Sequence, residues 1–554
     1  MNPLIHANEL AVSFSKNGQS FPAVFSVSFD LRRGKTTAIV GESGSGKSVS
    51  SLALLNLHDR NSVIYPKGLI TLDGQLPGTE QPVEVKPGSD VLTGLRGRKI
   101  AMIFQEPMTA LNPVMTCGEQ VVEMLQHHLN LSVHAARKEA LRLFEEVRIP
   151  HPEQALDKFP HEMSGGQRQR VMIAMAISCR PDVLIADEPT TALDVTVQRA
   201  VLELLKELQV QYGMAILFIT HDLGVVEEIA DEVIVMERGR IVESGNTRDV
   251  LNNPSHPYTQ RLIASRPNPG HKGYFLGPEV TKKALPVMDR GDAALVVNHL
   301  TKVYRKKKLL GAASDFRAVS DVSFSLHTGE TLGLVGESGC GKTTLSRMLL
   351  GLIPPDSGEI ILHGKSLTLA NDRQRRQALK EIQIVFQDPY SALNPTMRIG
   401  QILEEPIAWY GLRNSAPERK HRVVELLHKV GLSEEHMNRY PHEFSGGQRQ
   451  RIVIARALAV EPSVVVCDES VSALDVSVQA QVLNLLNELK HEFALSYLFI
   501  SHDLNVVYYM SDRIMVMRKG VIEESGPAEQ VFYHPQTAYT RSLLESIPGA
   551  PRVG

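Results

Sequence analysis

Gly41-Glu42-Ser43-Gly44-Ser45-Gly46-Lys47-Ser48 has the spacing G-x-x-x-x-G-K-S and stands between an apolar run, Thr37-Ala38-Ile39-Val40, and a helix-like stretch over residues 49–57. Strand, glycine loop and helix in that order are what a phosphate-binding loop requires. The glycines let the backbone wrap closely, so that successive N–H groups and the N-terminus of the next helix face an anion. Lys47 would bring a point charge to the β- and γ-phosphates of a nucleotide, and the Ser48 hydroxyl a ligand for Mg2+. A glycine turn could produce the pattern once by chance. It returns, however, as Gly336-Glu337-Ser338-Gly339-Cys340-Gly341-Lys342-Thr343.

The recurrence extends well beyond the loop. Phe104-Gln105-Glu106-Pro107 returns as Phe386-Gln387-Asp388-Pro389, and Ser164-Gly165-Gly166-Gln167 as Ser445-Gly446-Gly447-Gln448. Asp187-Glu188 returns as Asp468-Glu469, and Thr220-His221-Asp222 as Ser501-His502-Asp503. The chain is one unit written twice, which bears on the fold before any local reading does. The spacing from Lys47 to Lys342 is 295 positions, whereas Gln105 to Gln387 is 282, so the first copy carries 13 extra residues between its loop and Gln105. They are expected within the Gly- and Pro-rich residues 66–97, as a longer surface hairpin or loop.

In each copy short strand signals (residues 5–14 and 294–304) precede the glycine loop, and a mainly helical stretch follows Gln105 or Gln387. Ala136, Ala140, Leu143 and Val147 fall near one face of a helix over residues 135–147. Buried strands are expected at 183–186, 215–220 and 496–501, and helices at 195–211 and 476–493. Strands alternating with helices around such loops give an α/β fold, a parallel sheet covered on both faces. Residues 266–291 carry Pro and Gly and little apolar periodicity, which reads as a linker. The expected domains are therefore 1–260 and 293–554, joined by 261–292.

The 554 residues would suffice for about three to four ordinary domains. A formal net charge of −3 provides no basic field for nucleic acid. Cys117, Cys179, Cys340 and Cys467 are scattered without a CxxC pair, which argues against a zinc or iron–sulfur site and against a disulfide framework. Residues 1–8 lack a basic region followed by an apolar core and do not read as a signal peptide. No apolar run approaches the ~18–20 residues that span a bilayer. The chain reads as cytosolic, with any membrane role exerted through another subunit.

Asp187 closes the apolar run Val183-Leu184-Ile185-Ala186, and Glu188 follows it. A carboxylate at a strand end can hold Mg2+ directly or through water, and the next can orient and deprotonate an attacking water. Asp468 and Glu469 repeat the arrangement. An isolated Asp-Glu pair would as readily be an exposed turn; two pairs, each downstream of a phosphate loop, favour the catalytic reading. His221 and His502 each follow a strand end and could contact the γ-phosphate while keeping glutamate and water aligned. A lone histidine there would more often be structural, and again the repetition tips the balance. Ser164 and Ser445, with the glycines and glutamine that follow, begin helix-like runs. They can serve as helix N-caps, as anion donors, or as both.

These motifs resemble those of ATP-binding cassette (ABC) ATPases, here with two nucleotide-binding domains in tandem, and the resemblance covers almost the whole chain outside the linker. It implies, for each copy, a parallel-sheet core with a small antiparallel part and a helical subdomain, using ATP and Mg2+. It makes Glu188 and Glu469 the catalytic carboxylates and Asp187 and Asp468 the ends of the Walker B strands. It makes Gln105 and Gln387 the residues that touch Mg2+ and water and relay to a membrane subunit. Ala192-Leu193-Asp194 and Ala473-Leu474-Asp475 match the D-loop. Phe14 and Tyr304 stand where an aromatic stacks on adenine, although Phe14 would serve equally as a strand or core residue. The family mechanism implies a head-to-tail pair, in which Lys47 and Glu188 act with Ser445, and Lys342 and Glu469 with Ser164. Ser470 in place of Pro189 is a departure within these motifs, and both sites are expected to hydrolyse ATP.

A finer resemblance, carried by PHEMSGGQRQR at 160–170, THDLGVVEEIAD at 220–231 and His256-Pro257-Tyr258-Thr259, is to the dipeptide, oligopeptide and nickel importer branch. The second copy reads Thr537-Ala538-Tyr539-Thr540 and lacks the usual HPYT order. Fused ATPases of this branch are similar to glutathione and microcin-type peptide importers. They imply two permease subunits and a periplasmic or lipid-anchored binding protein as partners, no nucleic acid, and a place on the cytoplasmic face of the inner membrane. The alternatives are a non-transport ABC ATPase of the translation or DNA-repair type, and an exporter. The first would bring a long charged helical linker or CxxC modules, and the second membrane spans; neither feature is present in the sequence.

Overall fold

The computed structural model describes residues 3–73, 81–191, 193–277, 284–286, 291–306, 314–368, 372–472 and 474–548. Two compact units divide the chain, one built on Met1–Ile263 and the other on Ala264–Ile547. Each unit holds a six-stranded sheet. In the first its order is Arg240–Asn246, Glu232–Glu237, Thr36–Val40, Ala215–Ile219, Val183–Asp187, Ile100–Ile103, parallel except for the antiparallel edge strand Arg240–Asn246. The second repeats it with Thr331–Val335 between Arg513–Arg518 and Ser496–Ile500, followed by Val464–Asp468 and Ile382–Val385.

Why these segments are central strands follows from their composition. Thr36–Val40, Val183–Asp187 and Ala215–Ile219 are buried at all five positions, as a sheet covered on both faces demands. Phe218, the fourth residue of the last, is fully buried; its truncation to Ala would cost about 3–5 kcal/mol. The strand bearing the phosphate loop lies beside the one leading to His221, and that strand lies beside the one leading to Glu188. All three run parallel, so their functional residues emerge together at the carboxyl edge of the sheet, where α/β proteins place ligands.

A smaller antiparallel sheet accompanies each core, with Gln19–Leu31, Ile5–Lys16, Leu69–Leu72 and Val83–Val85 in the first unit. Leu69–Leu72 and Val83–Val85 pair antiparallel within residues 66–97; residues 74–80 lie outside the described residues. The helical part of the first unit includes Cys117–Leu129, Val133–Glu146 and Gly165–Ile177. Ala136, Ala140, Leu143 and Val147 are all buried there, so the 3.6-residue period marks the packed face.

The stretch read as a linker is not free chain over its described part. Lys272 Nζ donates to the carbonyls of Tyr508 at 2.9 Å and Ser511 at 2.8 Å. Tyr509 Oη donates to Tyr274 O at 2.9 Å, and Asn484 holds both the N–H and the C=O of Leu276, at 2.9 and 2.8 Å. Phe275 and Leu276 are buried. Residues 266–277 thus strap onto the helices Val476–Glu492 and Leu504–Met510 of the second unit. Residues 278–283 and 287–290 of that stretch lie outside the described residues.

Candidate active site

The loop at 41–48 is shaped by glycine. Gly44 and Gly46 have φ of 77° and 99°, which an L side chain rarely adopts. Gly41 has no room for one either, since a Cβ there would lie 2.2 Å from the carbonyl oxygen of Met236. The helix Lys47–Leu54 starts at Gly46 with no acidic residue in its first turn, so its N-terminal amides keep an uncompensated positive end. Lys47 is buried and its ammonium donates to the carbonyls of Gly41 at 2.7 Å and Glu42 at 2.9 Å. Lys342 does the same with Gly336 and Glu337, at 2.6 and 3.0 Å. The cradle is built twice, with Cys340 replacing Ser45.

At the next strand end Ser48 Oγ donates to Asp187 Oδ1 at 3.1 Å. Asp468 instead accepts from Ser346 at 2.9 Å, one turn beyond Thr343. Burial lifts the Asp187 carboxyl to about 6, against the Ser48 hydrogen bond and reinforced by Glu188. Burial raises Asp468 as well. A hydroxyl beside one buried carboxylate is an oxygen-donor set suited to Mg2+, which takes one or two carboxylates and completes its shell with water and substrate phosphates. Among the described residues no group of three or more His, Cys, Asp or Glu stands together as a metal cage.

Glu188 is the centre of a small network. Its Oε2 accepts from Gln105 Nε2 and from Thr191 Oγ1, both at 2.9 Å, and its Oε1 lies 3.3 Å from His221 Nδ1. Burial works to raise this carboxyl, but the bonds from His221 and Thr191 hold it below the usual glutamate range. In the second copy Gln387 Nε2 donates to Glu469 Oε2 at 2.7 Å, and His502 Nδ1 lies 3.5 Å from the same oxygen. The His502 hydrogen bond holds Glu469 low; burial opposes protonation of His502, but Glu469 overcomes it and raises the imidazole. Both glutamates have left-handed backbones, with φ of 45° and 48°, and each donates its N–H to the neighbouring strand, at Ile219 O and Ile500 O. The two glutamines read by resemblance as Mg2+ contacts therefore lie against Glu188 and Glu469.

Ser164 and Ser445 are engaged locally. Each caps its helix by accepting from Gln167 N or Gln448 N, while the glutamine side chain accepts from the serine N–H. A Cβ on Gly166 would come within 2.5 Å of Val197, and one on Gly447 within 2.2 Å of Val478. Small residues there let the helix start approach the next helix, leaving amides at its first turn. Phe14 is half-buried and meets His58 edge-on at 5.4 Å, and His58 in turn bonds Val49 O. Its strand role is thereby explicit. Phe14 pairs across strands with exposed Phe21, as Tyr304 pairs with Phe316, so each copy carries an aromatic couple of which the sequence reading found one member. Ala192 and Ala473 of the D-loops lie outside the described residues. Thr191, Ser346 and Tyr258 were not singled out as site residues; the signal available was their repetition near the motifs.

A family model described as "ABC transporter" matches residues 24–191 and 319–472, and one described as "Oligopeptide/dipeptide transporter, C-terminal region" matches 242–286 and 523–552. Among curated proteins, the glutathione import ATP-binding protein GsiA of Pectobacterium atrosepticum is 45% identical over 572 residues, covering 99% of this chain and 90% of that protein. The proteins of the same name from Escherichia coli (strain K12) and Salmonella choleraesuis are each 46% identical over those same shares. Two ATP-hydrolysing domains, each followed by the oligopeptide/dipeptide C-terminal region, make this chain a tandem member of the ABC transporter family.

Proposed function

We propose that the chain is the ATPase subunit of an importer for small peptides, glutathione among them. It would act at the cytoplasmic face of the inner membrane through two permease subunits, supplied by a periplasmic or lipid-anchored binding protein. The observation that carries this reading is the likeness to glutathione import ATP-binding proteins over 99% of the chain. Among the described residues no helix is long and apolar enough to cross a membrane. Grooves beside the two glutamines suit the cytoplasmic helices of the permeases. In the first unit a cavity of about 230 Å3 is lined by Met102, Phe104, Met124, Met172 and Met175, a pliable apolar surface. Its counterpart of about 420 Å3 presents Phe386, Trp409, Glu405 and Arg456.

In this mechanism residues 41–48 and 336–343 wrap the phosphates, with Lys47 and Lys342 leaving their carbonyl partners for the β- and γ-oxygens. Ser48 with Asp187, and Thr343 with Asp468, would hold Mg2+, which supplies charge at those oxygens when bound. Glu188, ionised at neutral pH, accepts from the attacking water, while Gln105, Thr191 and His221 fix its two oxygens. Glu469 acts likewise with Gln387 and His502. The domains are assigned as 1–260 and 293–554, with 261–292 between them. Closure on ATP and reopening after hydrolysis would drive the permeases.

The test is reconstitution of the full chain with its permeases and binding protein in vesicles. ATP hydrolysis stimulated by glutathione or short peptides, together with their uptake, is the expected result. Stimulation by neither, with retained basal hydrolysis, would reject the substrate class while leaving the ATPase assignment standing.

A further inference from the structure

One contact to the phosphate loops occurs in both copies although the sequence around it differs. The N–H of Glu42 donates to Tyr258 Oη at 3.0 Å, and the N–H of Glu337 donates to Tyr539 Oη at 3.4 Å. The carbonyls of those same two glutamates accept from Lys47 and Lys342. The second residue of each loop is therefore gripped on one side by a tyrosine from the C-terminal region and on the other by the phosphate-seeking lysine.

The tyrosines are themselves placed by a repeated device. Glu243 accepts from the amides of Ser255 at 2.7 Å and His256 at 3.1 Å, and Glu524 accepts from those of Gln536 at 2.8 Å and Thr537 at 3.1 Å. The helix starts then diverge, with His256 Nδ1 accepting from Tyr258 N in one copy and Thr537 Oγ1 from Thr540 N in the other. Arg261 lies over the Tyr258 ring and Arg518 over that of Tyr539. Two different turns thus deliver the same hydroxyl to the same amide. The lost HPYT order in the second copy changes the capping group but not the tyrosine.

We propose that Tyr258 and Tyr539 are positioning residues of the nucleotide sites, bracing each phosphate loop through its second backbone amide. The proposal rests on reading residues 41–48 and 336–343 as the ATP cradles. When the lysine moves to a phosphate its tether to the loop carbonyls is released, while the tyrosine bond continues to hold the loop's second residue from outside the loop, beside the turn bonds from Ser45 N and Cys340 N to the same carbonyls. The brace acts on the bound nucleotide throughout the cycle, so its loss removes binding rather than transition-state stabilisation.

The test compares steady-state ATPase and MgATP binding of the full chain with those of Tyr258→Phe/Tyr539→Phe, a change that removes two hydroxyls and no ring. KM and Kd for ATP are expected to rise about 3- to 10-fold with kcat within about twofold, and each single variant to rise less than the double. Unchanged KM and Kd, whether or not the melting temperature falls, would overturn the brace. A fall in kcat alone would overturn it as well. Lys47→Ala/Lys342→Ala separates the underlying reading: if that variant still binds ATP normally, the cradles are wrongly assigned. If it loses ATP while the tyrosine variants match wild type, only the brace fails.

Discussion

Glu188 and Glu469 show how much a single backbone angle contributes. Each leaves its strand in the left-handed region, a conformation that costs a non-glycine residue about 1–2 kcal/mol. The turn sets the carboxylate against a glutamine and a histidine at once. Replacing both glutamates by Gln is expected to lower turnover by at least about 100-fold while ATP binding persists, as checked by phosphate release and equilibrium nucleotide binding on one preparation. Full retained turnover would remove these residues from the chemistry. At Gly41, Ala is expected to weaken ATP binding more than about tenfold, because its Cβ would meet a backbone carbonyl that cannot rotate away; titration with a fluorescent nucleotide measures it. The residue types at these positions were legible because phosphate chemistry demands them at fixed spacing. The φ of Glu188, its Thr191 partner and the Tyr258 bond were not, since each depends on distant chain brought alongside by the fold.

The strands were the most legible elements. An apolar run of four or five residues leading into a carboxylate or, one residue further on, a histidine leaves a buried parallel strand as its economical reading, and Val183–Asp187 and Ala215–Ile219 are buried throughout. The strap was the least legible. It is anchored by backbone carbonyls and a few side chains, and its Pro and Gly suggest only irregular chain. Lys272 makes it testable. Burial pulls its ammonium down to about 8, partly offset by Asp512 and Glu529, so between about pH 8 and 10.5 the unfolded chain binds a proton that the folded chain has released. Stability of the second unit is therefore expected to rise with pH across that window by on the order of 1–3 kcal/mol relative to Lys272→Met. Urea unfolding at both ends of the window reads this directly, and parallel pH dependence in the two proteins would contradict it.

For the molecule as a whole, duplication is the central fact. Both copies keep the lysine, the carboxylate pair, the histidine and the capped serine, and Ser470 in place of Pro189 is buried without displacing Glu469 from Gln387. The two copies are accordingly expected to carry active sites of equal standing. Steady-state ATP turnover by the full chain with Lys47→Ala, with Lys342→Ala and with both changes tests that claim most directly. The two single variants should lose turnover to about the same extent, and the double variant should lose nearly all of it. A loss confined to one of the two single variants would contradict it.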